Sequence, residues 1–336
     1  MTIYDIAEIA GMSASSVSRV LNNRPGISEK NRKRVQDILK EYNYAPDQAA
    51  RGLVMQSTRI IGILMEDIRL SHHTESTYVV EQELMKEGYT CIAMNTGREA
   101  QRKAECIRVM QERRVEGVIL IGSMFCEPEI AESIRKYLPQ IPVVIVNGYL
   151  DLPNVYGVLT DEKGGVEACV DRLIQKGRRN QAFLMDTSSP ANDRKKEGFM
   201  DGMRKNGIPE DEIRIYINDS EDLNPELTID RGEMLTSRVL KENPEVNGLI
   251  YSVDLLAIGG LRALERAGIN VPERVSVIGI DNTIYGKICR PTLTTLDNKL
   301  VEVSQNASRV LLNALNQKNI SHKMMLFTEI IERESL

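Results

Sequence analysis

Residues 60–336 contain eight short apolar runs separated by amphipathic stretches, a pattern that a parallel α/β architecture satisfies. The runs are Ile60–Met65, Thr90–Asn95, Gly117–Ile121, Val143–Val146, Gln181–Met185, Ile213–Ile217, Gly248–Ser252 and Val275–Ile280. Each is strand length, and each is apolar enough to be covered on both faces. Helical periodicity fills the intervals near 75–87, 101–113, 127–137, 164–176, 194–206, 229–242 and 255–267. Strands alternating with helices imply crossover connections and parallel sheets. The pattern occurs twice, which predicts an α/β body of two doubly wound parallel-sheet lobes. A helix near 298–317 and a strand near 325–331 complete it.

The first 59 residues read differently. Ile3, Ile6, Ala7 and Ala10 fall at i, i+3, i+4 and i+7, and Gly11 supplies a left-handed stop. Ser13 can cap a second helix with an inner face of Val17, Val20 and Leu21. After the loop residues 22–26, Ser28 can cap a third helix with Val35, Ile38, Leu39 and Tyr42 inside. Asn31 stands where a capping box would need Glu or Gln. Two short helices around a tight turn, closed by a third, make an N-terminal all-α helix-turn-helix domain.

Charge follows the same division. Net charge is −5, yet residues 1–60 hold nine Lys/Arg against six Asp/Glu, and the remainder 34 against 42. A basic head on an acidic body points to a nucleic-acid partner for the head alone. The second helix would enter the major groove by its N-terminus, presenting Ala14, Ser15 and Ser16, with Arg19 one turn later. Arg19 can bond a guanine bidentately, and Ala14 can offer only a methyl contact. Ser13, Ser16, Ser18, Asn22 and Ser28 are short donors suited to phosphates, and Thr2 and Tyr4 join them as candidate DNA-binding residues. The serines can equally be caps and solvated surface.

The stretch T-I-Y-D-I-A-E-I-A-G-M-S-x-S-S-V-S-R-V-L-N at 2–22 resembles the signature of the lactose/galactose repressor family. The match extends through Ser28, Arg32, Val35, Tyr42-Asn43-Tyr44, Pro46-Asp47 and Ala49 to Leu53. The resemblance implies a hinge helix at 48–54 that folds on operator DNA. Leu53 would then wedge into the minor groove, with Ala50 on the same face. Seven residues are too few for a stable isolated helix, so folding can be coupled to binding. It also implies a body like the periplasmic-binding-protein fold, type I, crossed three times by the chain. We expect the crossings near 158–161, 289–293 and 318–322. The expected domains are therefore 1–47 (DNA binding), 48–59 (hinge and linker) and 60–336 (effector core). The N-lobe would take about 60–158 and 293–318, and the C-lobe about 161–289 and 322–336.

A ligand would lie between the lobes, at the carboxyl ends of the strands. Asp281 matches the family's ligand-binding aspartate; by itself it reads as a ligand carboxylate or as a turn cap. Asn298 sits where a side-chain amide reaches the ligand in relatives, and Asn147 follows the fourth strand. Asp254 reads better as a cap. Lys195 stands where relatives often carry arginine, with Arg194 adjacent. With no Trp and 4% aromatics, the candidate walls are Phe125, Tyr251, Tyr149 and Tyr285. Glu66, Asp67, Arg69 and His72 would line the cleft from the N-lobe. The effector is then a small molecule, a carbohydrate or a charged metabolite. A partner protein sensed by the body, as in catabolite-control relatives, is the alternative.

Other classes lack their motifs. There is no G-x-S-x-G, no Walker loop and no G-x-G-x-x-G. Glu66, Asp67, His72 and His73 fit no metal-ligand spacing. Five scattered cysteines without CxxC argue against disulfides and structural zinc. We expect a cytoplasmic homodimeric regulator, most simply a repressor, of a pseudo-palindromic operator, with no cofactor, no enzymatic activity and no membrane association. One candidate contact surface between copies is the helix near 75–87, with Val79, Val80 and Leu84.

Overall fold

The computed structural model describes residues 1–21, 24–42, 57–218 and 224–336, and the chain divides into two compact units, Met1–Arg59 and Ile60–Leu336. In the head, α1 (Ile3–Ala10), α2 (Ala14–Leu21) and α3 (Glu29–Glu41) close around Ile6, Ala7, Ala10, Val17, Val20, Val35 and Ile38. Thr2 and Asp5 form a reciprocal capping box on α1, and Gly11 ends it at φ 64°. Ser13 accepts from the amide of Ser16 at 3.2 Å, and Ser28 from that of Asn31 at 3.4 Å. Tyr42, expected inside, is 44% exposed, because α3 ends there and its side chain lies past the last packed turn. Asn22, Ala50 and Leu53, with the proposed hinge, lie outside the described residues.

The body contains two six-stranded sheets. The first holds β1 (Ile60–Met65), β2 (Thr90–Asn95), β3 (Gly117–Ile121), β4 (Val143–Val146), β5 (Val155–Thr160) and β11 (Lys323–Leu326), all parallel, in the order β11-β5-β4-β3-β1-β2. The second holds β6 (Gln181–Met185), β7 (Arg214–Ile217), β8 (Gly248–Tyr251), β9 (Ser276–Ile280), β10 (Thr294–Asp297) and β12 (Glu329–Ile331), in the order β12-β10-β9-β8-β6-β7, with only β12 antiparallel. Alternation within each strand splits its side chains between two apolar layers: Ile61, Ile63 and Met65 face one core, and Leu64 the other.

The lobe boundaries differ from expectation at two of three crossings. The first follows β5, near the expected place. The second lies after β10, because Thr294–Leu296 pair with Ile278–Ile280 in the C-lobe, so residues 293–297 do not belong to the N-lobe. The third lies at 327–328: Lys323–Leu326 pair with Gly157–Thr160 in the N-lobe, and the one strand expected near 325–331 is two, on different sheets. Val79, Val80 and Leu84 do not form an outer contact surface. All three are buried, and Val80 and Leu84 lie in the apolar layer between their helix α4 (Ser71–Lys86), the first sheet and the helix Leu300–Leu315.

Candidate functional site

In the head, the exposed residues of α2 form one candidate surface. Ser13, Ser15 and Arg19 are exposed, with Ser16 and Ser18 half-buried beside them. The Ser13 Oγ lies 2.9 Å from both Ser15 Oγ and Ser16 Oγ, so these hydroxyls form a linked cluster at the helix N-terminus. Ala14 is half-buried against the head core, and Tyr4 stands 72% exposed. The Arg19 guanidinium rests on the loop after α2, Nη1 donating to the Pro25 carbonyl at 3.4 Å. An N-terminal hydroxyl cluster and one long cation on an eight-residue helix suit phosphate and base-edge contacts respectively.

In the body, topology dictates where a ligand can sit. β1 has β2 on one side and β3 on the other; β6 has β7 and β8. A crevice opens beyond the strand ends wherever sheet order reverses in this way. The cleft is lined from those ends: Glu66 follows β1, Gly122 to Met124 follow β3, Asp186 follows β6, and Val253 to Leu255 follow β8. Asn147, Asp281 and Asn298, which follow β4, β9 and β10, join them. Asn147 and Asp281 hold left-handed backbone, φ 61° and 106°, conformations that cost a non-glycine residue energy and recur where side chains must be aimed.

The Asp281 carboxyl is the hub. Asn298 Nδ2 donates to its Oδ1 at 2.9 Å, and His72 Nδ1 approaches its Oδ2 at 4.0 Å from the other lobe. Asn298 Oδ1 is buried without a hydrogen-bond partner and belongs to a residue lining the cleft. Burial pushes Asp281 up to about 7, opposed by Lys195 and reinforced by Asp254. Withdrawal from solvent, then His73 and Lys195, keep His72 neutral, well below its ordinary value.

Beside this hub, Glu162 gathers groups from both lobes. It accepts from Asn147 Nδ2 at 2.9 Å and from Arg194 Nη2 at 2.9 Å, with Lys195 Nζ at 3.7 Å. Lys195 is buried and donates to the Ser252 carbonyl at 3.0 Å. The lobes also touch directly: the Ala191 amide donates to Ser123 Oγ at 3.1 Å, and Arg98 Nη2 to the Ser188 carbonyl at 3.1 Å.

The structure thus gathers Glu66, His72, Asn147, Lys195, Asp254, Asp281 and Asn298 in the cleft, with Arg194 just behind Asn147 and Glu162. Others lie elsewhere. Asp67 and Arg69 form a bidentate ion pair with each other, Arg69 Nη2 to Asp67 Oδ2 being 2.6 Å, and neither lines the cleft. Phe125 is fully buried in the N-lobe core. Tyr251 is fully buried in the C-lobe core, its hydroxyl 2.7 Å from Thr236 Oγ1. Tyr149 and Tyr285 are also absent from the lining, so aliphatic Leu70, Ile121, Val146, Val253 and Leu300 supply the apolar walls. Asp254 does not cap its own helix. Its buried carboxyl accepts from Thr283 N and Oγ1 at 2.7 and 2.9 Å and from Thr295 Oγ1 at 2.6 Å, tying three segments together. Burial raises it to about 6.

Sequence reasoning missed Ser123, Glu162, Asp186 and Asn192. Glu162 carried the one usable signal, a position just past an apolar strand and the capping Asp161. Among the described residues, no group of three or more His, Cys, Asp and Glu is arranged to hold a metal ion, and no helix is long and apolar enough to cross a membrane.

Residues 2–47 match the family described as bacterial regulatory proteins, lacI family, and residues 170–336 match the periplasmic binding protein-like domain. An HTH-type transcriptional regulator of Lachnoclostridium phytofermentans is 30% identical over 337 residues, covering 100% of this chain and 99% of that protein. Catabolite control protein A of Priestia megaterium is 26% identical, covering 99% and 98%. The fold superposes on the Lac repressor dimer bound to operator and the anti-inducer ONPF with a TM-score of 0.90 at 22% identity, covering 100% and 98%.

Proposed function

Because the chain belongs to the lacI family of bacterial regulatory proteins, whose members are DNA-binding transcription regulators and not enzymes, we propose that it is a homodimeric repressor controlled by a small molecule held between the lobes. Two heads would read the halves of a pseudo-palindromic operator, α2 in the major groove, with Arg19 on a base edge and the hydroxyls of Thr2, Ser13, Ser16, Ser18 and Ser28 toward phosphates. Asn22, Ala50 and Leu53 carry the parts of this reading that the family resemblance supplies. The observation that carries the proposal is the cleft itself: a buried polar site, at the carboxyl ends of strands from both sheets, in a chain that also carries a separate helix-turn-helix unit.

The cleft fits a compact polar ligand, a carbohydrate or a charged metabolite, held by Asp281, Asn298 and Lys195 from one lobe and by His72, Glu66 and Asn147 from the other. Closing the lobes on it changes operator affinity, and by linkage the operator changes ligand affinity equally, typically by about 1–3 kcal/mol. The test has two arms. Gel shifts on inverted-repeat duplexes across a salt series should show a sequence preference over random DNA that survives competitor. A thermal-shift panel of sugars, sugar phosphates, nucleobases and organic acids should return a stabilising ligand. A monomeric protein that prefers no inverted repeat with any ligand overturns the reading.

A further inference from the structure

The segment Arg24–Ile27 after α2 is pinned from three sides. The Arg24 amide donates to the Arg19 carbonyl at 2.8 Å, the Arg24 carbonyl accepts from Arg32 Nη2 at 2.8 Å, and Ile27 packs on the head core. Onto this loop the exposed Arg19 folds its guanidinium, Nη1 reaching the Pro25 carbonyl at 3.4 Å. Gly26 lies directly beneath. Its φ is +97°, and a Cβ built there would stand 2.9 Å from Arg19 Nη1. A side chain at position 26 cannot share that space with the guanidinium as it is placed.

We propose that the segment Arg24–Ile27 is a rest that fixes the direction of the Arg19 guanidinium, making Gly26 a specificity-determining position of the head although it offers DNA no side chain of its own. The proposal rests on Arg19 contacting a base edge. An exposed arginine loses much rotamer freedom when a bidentate contact fixes it. A surface that holds the planar fork in place beforehand lowers that loss and restricts which base edge the fork can meet. A side chain at position 26 pushes the flexible end of Arg19 aside and leaves the helix core untouched. Gly26 is therefore a positioning residue, acting on sequence selectivity through Arg19.

The test selects binding sites from a duplex library of randomised inverted repeats, using the full-length protein. Arg19→Ala should flatten preference at one base pair per half-site, by about 5- to 100-fold. Gly26→Ala and Gly26→Asn should lower preference at the same base pair at least about threefold. Asparagine tolerates positive φ, so Gly26→Asn supplies a folded variant if alanine strains the loop. Combined with Arg19→Ala, either substitution should add nothing at that base pair, with helical circular dichroism retained. If Arg19→Ala flattens preference and the Gly26 variants do not, the rest is wrong while the base contact stands. If Arg19→Ala changes nothing, the base-contact reading fails and the proposal falls with it. Uniform weakening on every sequence, equal with and without Arg19, shows a merely structural glycine and also overturns it.

Discussion

His72 Nδ1 and Asp281 Oδ2 meet at 4.0 Å across the gap between the lobes, an imidazole held neutral facing a carboxyl raised to about 7. The charged and titratable groups around this pair are Lys195, Asp254, Glu162 and His73. Asp281 has an ordinary value of 3.8, so between about pH 4 and 7 the folded state keeps a proton that the unfolded chain has released. Its contribution to stability is full below pH 4 and is lost as pH rises through 7. Asp281→Asn removes that slope while preserving shape. In urea titrations at pH 5 and 8, the variant should gain roughly 1–3 kcal/mol relative to the parent at the higher pH. A parent and variant that stay parallel across this range would remove Asp281 from the buried set.

His73 runs the other way. Burial lowers it from 6.5 to about 4, against an opposing contact with the Asp67 carbonyl. Below pH 6.5 the unfolded chain takes up a proton that the folded state refuses, so its contribution is present above 6.5 and lost as pH falls toward 4. The two slopes oppose each other between pH 4 and 6.5. Each variant should therefore tilt the profile in its own direction. Relative to the parent, Asp281→Asn should shift the slope of stability against pH upward, and His73→Gln should shift it downward. Denaturation midpoints at half-unit pH steps check both signs.

These groups also show which parts of the protein could be read from residues alone. Periodicity is local, so the three head helices and the eight apolar runs were legible. Lobe membership depends on which edge a strand joins. Thr294–Asp297 looks like a connector until it pairs with β9, and the stretch from Lys323 looks like part of one C-lobe strand until Lys323–Leu326 pairs with β5. Strand-end residues such as Glu66, Asn147 and Asp281 were legible because strand ends converge on the cleft. Phe125 and Tyr251 were misplaced, since an aromatic residue near a strand end gives no indication of which face it packs on. Glu162 was missed because its strand, Val155–Thr160, was read only as a crossing.

The position of Tyr251 gives its own prediction. The hydroxyl is fully buried with one partner, Thr236 Oγ1, which also bonds the Gly232 carbonyl at 2.7 Å. Tyr251→Phe removes one buried hydrogen bond and leaves Thr236 satisfied, so it should cost about 1 kcal/mol. Because the ring lies in the core and not in the cleft, the effect of any ligand found by thermal shift should be unchanged in Kd. A variant with normal stability and weakened ligand binding would return Tyr251 to the site.

Deep behind the cleft wall, Lys103 is fully buried, its ammonium 2.9 Å from the Met124 carbonyl, 3.3 Å from Glu66 Oε1 and 3.5 Å from Glu127 Oε1, and 5.6 Å from the Phe125 ring centre. Burial raises Glu66 above its ordinary value even with this cation beside it. Lys103→Met fills similar volume but leaves the Glu66 carboxylate without its nearest counter-charge, with only the weaker pull of Arg98 remaining, which should destabilise by about 3–5 kcal/mol near neutral pH. The loss should grow as pH rises, because a raised carboxyl is tolerated only while protonated. Adding Glu66→Gln should recover most of it, since an uncharged pair has little charge to desolvate. Urea unfolding of the parent, both single variants and the double variant measures the coupling directly. Additive losses would mean that Glu66 and Lys103 are held independently, and that the cleft wall does not depend on their pairing.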